Sequence, residues 1–101
     1  MGWYRVVLHC ALPEGFSVDD EPIAGFYTTR FVEAPFDKAA GEIATHELQG
    51  EQKFRDLRAQ LSSDPIVDAE DIEPWAETPD PEARKIGFVF YPVNERPGDA
   101  A

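Results

Sequence analysis

The stretch WYRVVLHCAL, residues 3–12, decides the fold. Every second residue in it is apolar, and this set consists of Tyr4, Val6, Leu8, Cys10 and Leu12. The residues between them mix apolar with polar side chains; they are Trp3, Arg5, Val7, His9 and Ala11. Because successive side chains of a strand point to opposite faces, this period of two predicts a β-strand with one wholly apolar face and one mixed face.

Three more strands are predicted along the chain. Residues 23–34 and 86–93 are rich in the aromatic and β-branched side chains that are typical of strands. Residues 66–75 are a weaker candidate because acidic residues crowd the segment, and we expect this strand at an edge, where charge discourages unwanted pairing. The strands at 3–12 and 86–93 are the most continuously apolar, so we expect them at the centre of the sheet.

A helical pattern separates the second strand from the third. Pro35 suits the first turn of a helix, and apolar residues then recur at helical spacing at Phe36, Ala40, Ile43, Phe54, Leu57 and Leu61. Gly50 falls within this stripe and predicts a kink or a break. The order β-β-α-β-β predicts an α+β fold: a four-stranded mixed or antiparallel sheet with one long helix, kinked near Gly50, on one face.

The 101 residues fit one domain, which we expect at 1–93, followed by a flexible C-terminal tail at 94–101. The single cysteine, Cys10, cannot form a disulfide within the chain. No segment has the pattern of a signal peptide, and no apolar run approaches the roughly 18 residues that cross a membrane. We therefore expect a cytoplasmic protein.

The charge balance is strongly acidic, with 20 Asp and Glu against 9 Lys and Arg and a net charge of −11. Such a surface argues against binding to nucleic acid, which requires a positive footprint, and it would be repelled by anionic membranes. The acidic excess serves either solubility alone or the recognition of a basic protein partner.

The second face of the sheet is the most informative feature of the sequence. One helix covers one face only, yet Trp3, Val7 and Phe31 are predicted to lie on the other. Exposed apolar surface of a few hundred Å² commonly marks an interaction site, and symmetric homodimers are the most common soluble oligomers. We expect a homodimer through this face; the alternative is that the long acidic loops fold back over it.

The same face is the predicted location of a ligand site. Arg5 and His9 share the mixed face of the first strand, and we place Tyr27, Thr28 and Arg30 of the second strand beside them. This set makes a cationic, aromatic-lined patch that could hold an anionic ligand through guanidinium contacts. In the alternative, each arginine pairs with a nearby acid or lies at the dimer contact.

The sequence contains no recognisable catalytic or metal-binding motif. His46-Glu47 resembles the start of a zinc-protease motif, but Gln49 and Gly50 stand where the second histidine would be. The acidic stretch of residues 64–82 lacks the glycine of a calcium loop. We therefore predict no catalytic residues, no metal and no cofactor.

The segments GFYTTRFVEA, residues 25–34, and GFVFYP, residues 87–92, bracket the predicted helix. In this arrangement the chain resembles small bacterial α+β proteins of ferredoxin-like fold and unknown function. The resemblance implies a bacterial, intracellular protein, and it carries no active site to this sequence.

These observations favour a small acidic module that associates with itself or with a protein partner and performs no catalysis. The alternative hypothesis is a site on the open face of the sheet, at a dimer boundary, that binds a small anionic ligand or acts on it as an enzyme.

Overall fold

The structure is a computed structural model that describes residues 1–93; the tail expected at 94–101 lies outside the described residues. Its strands are β1 (Gly2–Ala11), β2 (Ser17–Val18), β3 (Glu21–Ala34), β4 (Ile66–Trp75) and β5 (Lys85–Pro92). Its helices are α1 (Asp37–Gly50) and α2 (Gln52–Arg58), and a short 3-10 turn spans Pro81–Ala83. The predicted α+β class is confirmed, with five strands and two helices in place of four strands and one helix.

All strand pairs are antiparallel, and the four long strands lie in the order β5-β3-β1-β4. The acidic strand β4 lies at an edge, as predicted, because it pairs with β1 alone among residues 1–93. The expectation that β5 lies centrally is wrong. β5 is apolar on both sides although it lies at an edge. On one side the Phe88 ring stacks on Phe26 with 4.2 Å between ring centroids, and on the other the Val89 side chain is exposed.

The acidic segment after β1 forms the tip of a hairpin. β2 pairs with the start of β3 through Val18 and Glu21, leaving two residues in the turn. These are Asp19 and Asp20, and both adopt positive φ, at 51° and 68°. Two-residue hairpins of this type require positive φ at both central positions, and aspartate is one of the few residues with a side chain that tolerates it.

The core lies between one face of the sheet and the helices. β1 contributes the alternating set Val6, Leu8 and Cys10, which is buried, as the period-two pattern predicts. The helices contribute Ala40, Ala44, Leu48, Phe54 and Leu57, all of them buried. The small residues on α1 allow close packing: a Cβ added at Gly41 would lie 3.0 Å from Cδ1 of Ile72 on β4.

The helix breaks next to Gly50, where the sequence predicts a kink or a break. Glu51 separates α1 from α2 with extended backbone, φ −76° and ψ 140°. Its backbone N–H donates to the Leu48 carbonyl, so the same residue ends α1 and precedes α2. The break lets the apolar stripe continue onto the sheet, because Leu48 before it and Phe54 after it are both buried.

Gly25 lies where β3 approaches β5 closely, as its place in a strand suggests. The β3–β5 ladder shifts register between Ile23 and Gly25, and Gly25 pairs with Tyr91. A Cβ added at Gly25 would lie 2.5 Å from the Cys10 carbonyl oxygen and 2.6 Å from the Tyr91 hydroxyl. The Tyr91 ring can therefore lie across the backbone only because residue 25 has no side chain.

We expect Gly25→Ala to lower the free energy of unfolding by about 2 kcal/mol, because the added methyl meets backbone as well as the Tyr91 ring. Urea denaturation monitored by circular dichroism measures this change. Gly2→Ala is the matched control, since Gly2 also lies in a strand but a Cβ there has nothing within 4 Å. Equal stability of the two variants would contradict the close approach.

Candidate functional site

The side of the sheet that faces away from α1 and α2 is the candidate site, and we call it the open face. No helix lies over it in the described part of the chain. The cross-strand pairs Arg5↔Phe31, Val7↔Thr29 and His9↔Tyr27 form its centre. These six side chains are neither fully buried nor fully exposed. Trp3, Val7 and Phe31 thus lie on the face where the sequence predicts them.

An irregularity in β4 concentrates acidic side chains at one margin of the open face. The β1–β4 register shifts between Val7, which pairs with Asp71, and Leu8, which pairs with Ala69. Glu70 is therefore an extra residue in β4, and its carboxylate reaches His9. A β-bulge of this kind redirects a side chain, and here it adds Glu70 to a margin that already carries Asp71 and Glu73.

A second irregularity concentrates apolar side chains at the opposite margin. In the β3–β5 ladder, Tyr27 pairs with Val89 and Thr29 pairs with Ile86. Two residues lie between Ile86 and Val89 on β5, whereas only one lies between their partners on β3. This extra residue in β5 is a bulge, and it allows the Ile86 and Val89 side chains to lie on the same side of the sheet, the open face. Val89 is 61% exposed and Ile86 is 48% exposed. The open face therefore carries exposed apolar side chains at β5 and carboxylates along the middle of β4, whose two ends carry Ile66 and Trp75.

A cluster of titratable and aromatic side chains lies on the open face where β1, β3, β4 and β5 contribute one residue each. We call it the His9 cluster, and it consists of His9, Tyr27, Glu70 and Tyr91. His9 Nε2 lies 2.6 Å from the Tyr91 hydroxyl oxygen, and His9 Nδ1 lies 3.7 Å from a Glu70 carboxylate oxygen. The Tyr27 ring packs against His9 with 4.9 Å between ring centroids.

The direction of the His9–Tyr91 hydrogen bond depends on which imidazole nitrogen carries the proton. With the proton on Nδ1, facing Glu70, the Nε2 atom accepts the hydrogen bond that Tyr91 donates; with the proton on Nε2, His9 donates to the Tyr91 hydroxyl. The His9 side chain is only 15% exposed, whereas that of Glu70 is 50% exposed. In the first of these arrangements His9 can take a proton from the Tyr91 hydroxyl while Glu70 stabilises the resulting charge.

Arg5, a cationic residue that is predicted for this face, is paired with carboxylates. Arg5 Nη1 lies 3.4 Å from Asp71 and 3.9 Å from Glu73. The Arg84 guanidinium lies over the Trp3 ring at 4.7 Å, so the connection between β4 and β5 covers one corner of the face. Loops therefore cover the face only in part. The cation of Arg5 is neutralised by its neighbours, which weakens the case for an anion site.

Thr28 and Arg30 lie on the helix side of the sheet, and their predicted place beside His9 is wrong. Alternation along β3 places them on the same side of the sheet as the buried residues Phe26 and Val32, and the Arg30 side chain is 2% exposed. The Arg30 guanidinium donates to both Glu51 carboxylate oxygens, and its Nε donates to the Thr28 hydroxyl at 3.3 Å. Arg30 is therefore a structural residue that holds the helix break to β3.

Glu51 carries the opposite charge at this junction. Burial alone would raise the pKa of its carboxyl, but hydrogen bonds and charges from Arg30, and then from Lys85, outweigh it and lower the pKa below its ordinary value of 4.5. Lys85 Nζ lies 3.3 Å from a Glu51 oxygen. The junction thus joins β3, β5 and the start of α2.

Sequence reasoning missed Tyr91, Glu70, Ile86 and Val89 as members of the open face. Alternation places Val89 and Tyr91 together, but nothing in the sequence marks the two bulges that turn Glu70 and Ile86 to the same side. A usable signal for Tyr91 was Gly25, since a glycine inside a strand often marks the close approach of another group.

The open face includes neither the cysteine nor, within residues 1–93, a group of side chains arranged to hold a metal ion. Cys10 lies on the buried face, where burial raises the pKa of its thiol to about 12. Within residues 1–93 no group of three or more His, Cys, Asp or Glu side chains is arranged to hold a metal ion. No helix in that part of the chain is long and apolar enough to cross a membrane.

Comparisons with known proteins give no match: no family model fits the chain, and neither a curated protein nor a solved structure resembles it. The resemblance to small bacterial proteins of ferredoxin-like fold remains a prediction.

We expect Glu51→Gln to lower the free energy of unfolding near neutral pH by about 2 kcal/mol, because the buried Arg30 loses its counter-charge. Because the pKa of Glu51 is lowered in the folded protein, this stabilisation is full above about pH 4.5 and is lost as the pH falls through the folded-state pKa. Urea unfolding at several pH values measures it.

The control for this variant is Asp56→Asn, which removes the same charge from an exposed position on α2. It should change the stability by less than about 0.5 kcal/mol. A difference between wild type and Glu51→Gln that grows on acidification would contradict the assigned pairing.

Proposed function

We propose that the protein is a non-catalytic module that forms a homodimer through the apolar part of its open face. The observation that carries the proposal is the pair of exposed side chains Ile86 and Val89, which lie opposite Thr29 and Tyr27 on a face without a covering helix. Burying such side chains stabilises an interface by about 25 cal/mol for each Å² removed from water.

The charge distribution favours one arrangement of the two copies. Superposing the acidic β4 margins would bring carboxylates together, at a cost in like-charge repulsion. A two-fold axis parallel to the strands, close to the boundary between β5 and β3, avoids this cost. It lays β5 of one copy over β3 of the other and leaves both β4 margins outside the contact.

The net charge predicts how salt acts on this dimer. Each copy carries a net charge of −11, so the two copies repel one another. Salt shortens the range of this repulsion, to about 10 Å at 0.1 M ionic strength. An apolar contact between like-charged copies should therefore tighten as salt is added. A contact held by ion pairs would weaken instead.

We expect sedimentation equilibrium to give a dimer whose dissociation constant falls as sodium chloride is raised. The double variant Ile86→Lys/Val89→Lys should weaken association at least about tenfold, since it places charge inside the contact. Both positions are well exposed in the single chain, so the fold should be unaffected.

Ile66→Lys is the matched control, because Ile66 is also on an edge strand, pairs with Ala11 of the same face and is 64% exposed. It lies at the β4 margin and should leave the dissociation constant unchanged or slightly lower. A monomer at all salt and protein concentrations would overturn the proposal. Equal weakening by both variants would overturn the arrangement of the two copies.

A basic protein partner is the second candidate, favoured by the β4 margin. The Glu70, Asp71 and Glu73 side chains there are each at least 50% exposed. We expect a lysine-rich synthetic peptide to shift the amide NMR signals of β4 and β1. The shifts should be lost in Glu70→Gln/Asp71→Asn/Glu73→Gln but kept in Glu14→Gln/Asp19→Asn/Asp20→Asn, which removes equal charge elsewhere. Loss of the shifts in both variants would leave no role for the margin.

A further inference from the structure

The Glu70–His9–Tyr91 arrangement is more specific than a binding surface needs. Three groups from three strands lie in sequence, with 3.7 Å between Glu70 and His9 and 2.6 Å between His9 and Tyr91. A carboxylate, an imidazole and a hydroxyl in this order form the usual arrangement of an activated nucleophile, in which the middle group accepts the proton.

We propose that Tyr91 is an activated nucleophile that accepts the acyl group of small activated acyl compounds, that is, carbonyl compounds with a good leaving group. His9 is the base, and Glu70 is a positioning residue that holds the imidazole. This inference goes beyond the proposed dimer and does not depend on it.

The step balances with the groups present. The Tyr91 hydroxyl oxygen attacks the carbonyl carbon and forms the new carbon–oxygen bond. Its proton passes to His9 Nε2, and the imidazolium is stabilised by the Glu70 carboxylate. The bond from the carbonyl carbon to the leaving group breaks, and the leaving group departs with the electron pair. The product is an ester at Tyr91.

The backbone beneath Tyr91 keeps the hydroxyl in place. The ring lies across Gly25, where an added Cβ would be 2.6 Å from the hydroxyl oxygen. The His9 and Tyr91 rings stack with 5.6 Å between centroids, and Tyr27 packs against both of them. Holding base and nucleophile in fixed geometry lowers the entropy cost of the reaction.

The chain supplies its own comparison, because it has three tyrosines. Tyr4 belongs to the alternating set of β1 on the helix side, away from His9. Tyr27 touches His9 with its ring, whereas Tyr91 presents its hydroxyl to the imidazole nitrogen. Cys10 does not compete, since its thiol is buried and burial raises its pKa to about 12.

The test is acetylation of the full chain by N-acetylimidazole, with the rate at each tyrosine followed by peptide mass spectrometry. Hydroxylamine distinguishes the sites, because it removes acetyl from tyrosine oxygen but not from lysine nitrogen. We expect Tyr91 to react at least about tenfold faster than Tyr27, and His9→Gln to remove most of this difference.

Glu70→Gln should slow Tyr91 acetylation several-fold, and its control is Glu33→Gln, which removes the same charge from an exposed position opposite Trp3. Unchanged acetylation in Glu33→Gln separates positioning of His9 from a general charge effect. A Tyr91 that reacts no faster than Tyr27, or a rate that His9→Gln leaves unchanged, would overturn the proposal.

The reaction is run at protein concentrations well below and well above the dimer midpoint from sedimentation. Fast acetylation at low concentration supports an activated Tyr91 whatever the oligomeric state. Slow acetylation at low concentration, where each chain is alone, overturns the activation and leaves the dimer proposal untouched.

Discussion

The ladder between β1 and β3 pairs all ten residues of β1 without a register shift, from Gly2↔Ala34 to Ala11↔Gly25. The two faces of the sheet depend on it, since it assigns each residue of the two central strands to the helix side or to the open face. A slip of one residue would exchange the two sets and bring Arg5 and His9 into the core. The regular centre also contrasts with the irregular edges, where β4 and β5 each change register.

The central strands were predictable for this reason. The alternation of Val6, Leu8 and Cys10 records burial directly, and the observed β1 differs from the predicted strand by one residue at each end. The bounds of β4 coincide with the prediction despite its acidic residues, because Ile72 and Val67 still supply an apolar side. The position of β5 could not be read in the same way. Its phenylalanines are held by Phe26, and such ring contacts are decided by tertiary packing.

The candidate site was only partly accessible from sequence, for two physical reasons. The bulges that turn Glu70 and Ile86 to the open face depend on pairing with a neighbouring strand, and a single sequence contains no record of that register. Arg30 was misplaced because a charged residue in a strand is ordinarily solvent-facing. Its burial requires the counter-charge of Glu51, which lies 21 residues away at the helix break. Gly50 indicates this break in the sequence, but it does not indicate that the next residue pairs with Arg30.

The contact between Gly25 and Tyr91 also constrains how this protein can change over generations. A side chain at position 25 and a ring at position 91 compete for the same volume, so each limits the residues accepted at the other. A smaller residue 91 would still leave the Cys10 carbonyl oxygen 2.5 Å from a Cβ at position 25, so the backbone of β1 demands glycine there by itself. A chain that keeps the tyrosine should therefore keep the glycine, whereas loss of the tyrosine does not free position 25 to change.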